Sequence, residues 1–338
     1  MMHFDQLGSN IIIYIKIPDK RLKRNTGSSM FRILFYLSVC VLLVTAIVVL
    51  LPIRSYSQSS SNIISANNII TNNSSKVIIL GFDDNRKGDF TYAKPILDKY
   101  GFKATFFLIC GKTTDKGAMN WQDIAAMHRD RMDIESHTMT HKHLNHLSAS
   151  ALNFEIAGSK QCLANHGYNV TSFAYPYDEG ADNVTVVNTV AKNYELARSG
   201  SEPLMFLNCN GFKNHPQTDC RTHLPDGTLT YANKYAVRSL SFDRYEIKDL
   251  FNNSTIFSDF VKIVNSQIKY NNGGTINAVP LVTFHNVALT TNKPYYTNAA
   301  IFDQLMKYLH DNGFRVLSMN NLGYEAKNNV FYIKSVSN

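Results

Sequence analysis

The sequence predicts an α/β domain built as a distorted (β/α) barrel and preceded by one N-terminal transmembrane helix. Three observations predict it. From Lys76 onward, apolar runs of strand length alternate with helix-like runs, seven or eight units in all. Such alternation implies parallel β/α units, and that number closes a sheet more readily than it leaves one open. Polar and titratable residues gather where the strand-like runs end, which is the end where barrels of this kind carry their chemistry. Ile33–Ile53 is a run of 21 residues without a charge, long enough to cross a hydrocarbon core of roughly 30 Å.

In chain order, residues 1–32 form a basic head. Lys20–Arg24 and Arg32 precede the apolar run, so the positive-inside bias places the N-terminus in the cytoplasm and the bulk of the chain outside the cell membrane. Residues 33–53 then read as a single-pass signal anchor. A cleaved signal peptide gives the same topology, but the run exceeds a usual h-region and no small-x-small site ends it. Residues 54–75 are rich in Ser and Asn and read as a tether. Residues 76–325 form the main domain and 326–338 a tail.

The 338-residue chain carries a net charge of +8, with 44% apolar and 18% charged residues. This composition supports a packed core. The charge is uneven: residues 1–54 hold seven Lys/Arg and two acids, the remainder 27 basic and 24 acidic. A near-neutral main domain without a basic stripe excludes a nucleic-acid partner. The membrane is the expected partner of residues 33–53, and the oligomeric state is left open.

Within the domain, "KVIILGFDD" is the first strand, and "YAKPILDKYGF" a short helix closed by Gly101. "ATFFLIC" and "MDIESHT" are the second and third strands, separated by the helical "NWQDIAAMHRD". "SASALNFEIAGSKQCLANHG" places Leu152, Ile156 and Leu163 on one helical face and stops at Gly167. "VTSFAYPY" and "YELARSG" follow as strands, with a helix near 182–192 between them. Residues 200–234 read as irregular. "YAVRSLSF" is a sixth strand, residues 255–270 a helix, "VPLVTFHNV" a seventh strand, "AAIFDQLMKYLHDNG" a helix and "FRVLSM" the last strand. Of five cysteines, Cys40 lies in the apolar span, leaving Cys110, Cys162, Cys209 and Cys220 for two disulfides in an oxidising compartment. Cys209 and Cys220 bracket a Gly/Asn/Pro loop and are the favoured pair. The absence of a CxxC excludes a zinc ribbon.

The candidate chemistry sits at strand ends. Asp83 and Asp84 close the first strand, and adjacent carboxylates on an extended backbone point apart and so can do different jobs. His137 and His141 follow the third strand. Two imidazoles and one carboxylate leave an open position on zinc or a similar divalent ion, which is a catalytic pattern. His143 and His146 are assigned to a polar loop, with Leu144 and Leu147 as core anchors. Tyr177 follows the fourth strand and His285 the seventh.

These residues resemble the polysaccharide deacetylases of the NodB-homology type, carbohydrate esterase family 4, from about Lys76 to Leu322. "GFDD" (Gly81–Asp84) resembles the family's T-F-D-D motif, and "HTMTH" (His137–His141) its H-S/T-x-x-H motif. "FAYPYDEG" (Phe173–Gly180) resembles the third motif and "VTFHN" (Val282–Asn286) the fifth; "NGFRVLSMNNL" resembles the family's end. The resemblance implies a NodB-type barrel and a hydrolase that removes N-acetyl groups from a glycan of the N-acetylglucosamine type. It implies a metal site of Asp84, His137 and His141. Zinc is expected, with Co2+, Ni2+ or Mn2+ as substitutes. It implies Asp83 as general base, His285 as general acid, and the backbone N–H of Tyr177, after Pro176, as an oxyanion donor. An O-acetyl esterase acting on a xylan-type polymer, or a non-catalytic glycan-binding surface protein, is the alternative.

Three departures stand out. Ala174 occupies the place of an Arg that pairs with the base, and Arg198 or Arg238 could supply that charge. Asp178 stands where Gly is usual. The fourth motif, an Asp-rich segment with Trp, is not found; Trp121 lies on another segment, and Asp243 is a candidate to orient His285.

Overall fold

The computed structural model describes residues 75–200, 202–207, 222–223, 229–230, 234–243, 253–271, 274–290, 293–327 and 330–334. The head, the span 33–53, the tether before residue 75 and the Cys209–Cys220 loop lie outside these residues. Among the described residues no helix is long and apolar enough to cross a membrane.

Five strands follow one another in parallel: β1 (Val77–Asp83), β2 (Thr105–Leu108), β3 (Asp133–Ser136), β4 (Ser172–Ala174) and β5 (Leu196–Ser199). Next come β6 (Leu204–Phe206), a pair β7 (Thr222–His223) and β8 (Leu229–Thr230), then β9 (Val237–Arg238), β10 (Leu240–Ser241) and β11 (Ala278–Phe284). The last are β12 (Val287–Ala288), β13 (Thr297–Asn298), β14 (Arg315–Leu317), β15 (Leu322–Glu325) and β16 (Val330–Ile333). The sheet runs β10-β11-β1-β2-β3-β4-β5-β9. Its two ends, β9 and β10, are consecutive in the chain and meet at Ser239. The predicted sixth strand is therefore one bent segment. Its first half pairs with β5 and its second with β11, and this closes the ring.

Strand parity sorts the core. Ile78, Leu80 and Phe82 belong to a large cluster packed under the helices, whereas Val77 and Ile79 belong to a second cluster with Phe107, Ala174, Leu196 and Leu281. All seven residues of β1 are buried, as a strand covered on both faces requires. Phe82 stacks on Phe106 with ring centroids 4.7 Å apart and meets Phe284 and Phe302 at 5.7 and 5.8 Å. Phe302, Leu305, Met306 and Leu309 form the buried stripe of the helix Ala299–Asp311, at the spacing an amphipathic helix needs. The alternation that sends Phe82 outward sends Asp83 inward.

Two expectations, for residues 200–234 and for the helix from Ser148, need correction. Residues 200–234 are not wholly irregular, because β6 adds antiparallel to β11, Met205 opposite Val279. Within residues 326–338, β16 pairs with β15, and Phe331 N–H donates to Leu207 O at 2.8 Å. The helix expected from Ser148 is interrupted by a π turn at Phe154–Gly158.

Cys110, just after β2, is bonded to Cys162 in the helix Ser159–Asn165. The pair spans 52 residues of sequence, and closing a loop of that length removes roughly 4 kcal/mol of unfolded-chain freedom. Cys110→Ser with Cys162→Ser is expected to lower unfolding stability by about 2–4 kcal/mol, read from the denaturant midpoint under oxidising conditions.

Candidate active site

The C-terminal ends of the ring strands open into a cavity of about 520 Å³. Asp83 ends β1 on the interior face. Gly81, two residues earlier on that face, has Thr283 Oγ1 only 3.2 Å from where a Cβ would stand, so the backbones approach closely beneath the site. The backbone then turns left-handed: φ is 71° at Asp84 and 44° at Asn85. The two carboxylates diverge through this turn and not, as expected, through an extended backbone. Asp and Asn tolerate this conformation better than other side chains with a Cβ.

The segment after β3 carries the histidines on a loop with Thr138 and His141 also left-handed, at φ of 69° and 64°. Its fold is held from outside. The π turn at 154–158 presents buried Glu155, whose carbonyl accepts from Met139 N–H at 3.0 Å and whose carboxylate accepts from Thr140 N–H at 2.8 Å. The Thr140 hydroxyl also donates to this carboxylate. Cys110 N–H and Gly111 N–H donate to Thr138 O and Met139 O at 3.2 and 2.9 Å.

In this setting His137 Nδ1 lies 2.8 Å from Ala174 O. A carbonyl only accepts, so Nδ1 carries the proton and the Nε2 lone pair is free. His137 Nε2 and His141 Nε2 are 3.2 Å apart, and Asp84 Oδ1 is 3.7 and 3.3 Å from them. Asp84 Oδ1 is buried and has no hydrogen-bond partner. An unpartnered carboxylate oxygen facing two imidazole nitrogens is a donor set that fits a divalent cation.

The base position is completed across the barrel. Arg198, fully buried on β5, ion-pairs with Asp83 Oδ1 and donates to Ser239 Oγ at 3.2 Å, its guanidinium stacked 4.6 Å from the Phe107 ring centroid. Of the two arginines considered, Arg198 takes this role. Arg238, opposite Ser199 on β9, is half-buried and does not line the cavity. Asp83 Oδ2 faces His285 Nε2 at 3.9 Å. His285 follows β11, and Asp243 grips it twice, through Nδ1 at 2.8 Å and through the backbone N–H at 2.7 Å.

Pro176 and Tyr177 form the turn after β4. Tyr177 and Asp178 are both left-handed, φ 58° and 59°, so the Asp that stands where Gly is usual adopts the conformation Gly would. The bonds of this turn run from Asp178 N–H to Tyr175 O and from Glu179 N–H to Pro176 O, and the Tyr177 N–H takes no part in them. Tyr177 is half exposed, meets His141 edge-on at 4.5 Å and stacks on His143 at 3.8 Å. His143 is thus more than a loop residue: Nδ1 is held 2.9 Å from Glu179, and its ring backs Tyr177. Leu144 is the buried anchor expected. Trp121 is elsewhere, stacked on His166.

Residues 71–197 match the family model described as Polysaccharide deacetylase. This stretch is similar to the polysaccharide deacetylases over 127 of the chain's 338 residues. The protein YxkH of Bacillus subtilis (strain 168) is 34% identical over 104 residues, 30% of this chain and 37% of its own length. The bifunctional xylanase/deacetylase of Pseudobutyrivibrio xylanivorans is 30% identical over 158 residues, 46% of this chain and 24% of that protein. The chain therefore spans 37% and 24% of these two relatives. Among solved structures, the Streptococcus pyogenes deacetylase PplD in complex with acetate is 30% identical, covering 38% of this chain and 58% of that one with a TM-score of 0.37. The peptidoglycan deacetylase PdaC from Bacillus subtilis is 16% identical, covering 73% and 90% with a TM-score of 0.46. The matched stretch contains Asp83, Asp84, His137, His141 and Tyr177. Arg198, Asp243 and His285 come from beyond it.

The electrostatics divide the site. Burial pushes Asp83 up, but Arg198, His137 and His285 outweigh it and hold Asp83 below the ordinary carboxylate value. Asp84 is likewise opposed by burial, yet His137 and His141 bring it to about 2. Burial and the neighbouring His137 depress His141 to about 3, which keeps that ring neutral for ligation. His285 goes the other way. Burial lowers it, but Asp243, then Asp83 and Asp84, raise it to about 9. An ionised carboxylate and a protonated imidazole thus coexist at neutral pH, a pairing suited to general base and general acid work.

The sign follows directly. Asp83 can accept a proton only above its depressed pKa, and His285 can give one only below about 9. Activity should plateau between these limits and fall above pH 9. Asp243→Asn removes the main support of the imidazolium, so the alkaline limb of kcat/KM moves to lower pH. Arg198→Leu leaves a buried carboxylate unpaired and should cost about 3–5 kcal/mol in stability, with the acid limb moving to higher pH.

Proposed function

We propose that this chain is a metal-dependent polysaccharide deacetylase that hydrolyses N-acetyl groups of a glycan of the N-acetylglucosamine type. The observation that carries the reading is the juxtaposition of an ionised Asp83 and a protonated His285, 3.9 Å apart, beside the Asp84–His137–His141 donor set. Asp84, His137 and His141 would hold a divalent cation, zinc being favoured by two imidazoles and one carboxylate, and the cation would supply Lewis acidity and acidify water. Asp83 Oδ2, the oxygen not taken by Arg198, accepts the proton of the attacking water. The Tyr177 N–H, left out of its own turn, is the donor for the developing oxyanion. His285 donates its Nε2 proton to the departing nitrogen, because an amide anion is a very poor leaving group. Asp243 holds the opposite ring nitrogen and keeps the acid charged and aimed.

The second reading keeps this machinery and changes the bond, to an O-acetyl ester on a xylan-type polymer. It is favoured by the relative named as a bifunctional xylanase/deacetylase. We further propose that residues 33–53 anchor the chain in the cell membrane with the catalytic domain outside. The uncharged run and the Cys110–Cys162 bond, which suits an oxidising compartment, support this.

Acetate release from N-acetylglucosamine oligomers and from acetylated xylan, with and without a chelator, tests the reading. Chelator-sensitive release from the amide substrate is expected, and Asp83→Asn should abolish it. His285→Ala should lower kcat by roughly 10²–10⁴-fold. Release from the ester alone would move the assignment to an esterase, and release from neither would overturn both.

A further inference from the structure

The cavity has two unlike walls on either side of the end of β1. Gly81 pairs with Thr105 of β2 on one edge and Thr283 of β11 on the other, so the loops leaving β2 and β11 depart on opposite sides of Asp83 and Asp84. The loop after β11 contributes Pro294, Tyr295 and Tyr296 to the cavity. Tyr295 is 39% exposed, its backbone is left-handed at φ 61°, and its ring lies 4.6 Å from that of His285. Its N–H donates to Asp243 O at 3.1 Å, which fixes the loop to the residue that holds His285. An exposed aromatic ring held in a strained backbone conformation beside a reacting group is a platform kept at a cost.

The other wall is cationic. The loop after β2 contributes Lys112 and Lys116, and Arg86 joins them from the end of β1. Lys112 is half-buried and ends the turn that begins at disulfide-bonded Cys110. That turn is also bonded to the histidine loop through Cys110 N–H and Gly111 N–H. The ammonium group is therefore presented from a fixed base, unlike a lysine on a free surface loop. Among the described residues neither Lys112 nor Lys116 has a carboxylate within 4.0 Å. The intervening Asp115 is exposed and pairs with neither. The other acids of the cleft are engaged: Asp83 with Arg198, Asp243 with His285, and Asp84 with Arg86 and the histidines, while Asp178, which also lines the cavity, is not without a partner.

We infer that this cleft selects an acidic acetylated glycan, one whose sugar face rests on Tyr295 while a carboxylate on a neighbouring sugar is met by Lys112 and Lys116. The inference rests on the deacetylase reading for its choice of an acetylated sugar backbone, and on the two walls for the charge. A neutral polymer would use the aromatic wall and leave two ammonium groups unanswered. One charge-assisted hydrogen bond at a partly buried site is worth roughly tenfold in affinity.

The test uses the full chain and two probes of one backbone. The first is a tetramer in which glucuronate alternates with N-acetylglucosamine. The second is the same tetramer with its carboxylates reduced to alcohols. Equilibrium binding should favour the acidic form about tenfold, with the ratio falling as salt is raised. Lys112→Gln with Lys116→Gln should bring the ratio to about one, and Lys112→Glu with Lys116→Glu should invert it. Tyr295→Ala should weaken both probes together and leave the ratio. A wild-type ratio near one, a ratio that survives the double Gln variant, or binding of neither probe overturns the inference. Acetate release, measured on the same samples, reports on the deacetylase reading alone. Lys-dependent selective binding without release would sink that reading and keep this one, and release without charge selectivity would do the reverse.

Discussion

A guanidinium inside a barrel is the constraint around which this domain is organised. Arg198 has no access to solvent, and an unpaired charge there would cost several kcal/mol. Its partners come from three parts of the ring: Asp83 at the end of β1, Ser239 at the bend between β9 and β10, and the face of Phe107 on β2. Ser239 in turn donates to Ser199 O at 2.7 Å. The segment that closes the ring is thus tied to the charge in its interior. The same guanidinium, together with His137 and His285, keeps Asp83 ionised and ties down the point where the sheet bends back on itself.

Much of the fold is legible because parity and periodicity report burial directly. "KVIILGFDD" alternates between two cores, and the same alternation carries Asp83, Arg198 and His285 to the interior face of three different strands. What is not legible depends on pairing at a distance. "YAVRSLSF" reads as one strand, and nothing local says that its halves must serve β5 and β11 separately. Leu204–Phe206 is three residues in a polar stretch, and it becomes a strand only because Ala278–Pro280 offers an edge. β15 and β16 are short for the same reason. Their register, Tyr324 opposite Phe331, stabilises neither strand alone.

The site divides in the same way. Strand-end residues are readable, since motif and position agree. Their supports are only partly so: Arg198, beside Arg238, and Asp243 can be named as candidates because the resemblance leaves a partner missing, but the sequence does not place them. Asp243 and His285 are 42 residues apart, Asp83 and Arg198 115, and His143 and Glu179 36, so no spacing rule connects them. His143 reads as a polar loop residue because the ring it backs, Tyr177, lies on another strand end. Asp84 and Asp178 show a second limit. Each takes a left-handed backbone that its residue type permits without announcing.

The order of residues along the chain has a consequence for how the centre comes into being. The three groups suited to hold a cation, Asp84, His137 and His141, and the disulfide-bonded Cys110 and Cys162 all precede the ring-closing segment at 237–241. The candidate acid, His285, arrives last, just after the strand that pairs with β1 across about two hundred residues. As the chain is made, the three groups suited to a cation emerge long before His285. On the proposed reading, an unfinished polypeptide would already carry all three candidate ligands while it still lacks His285, and the full set of site residues would be complete only in the final third of synthesis.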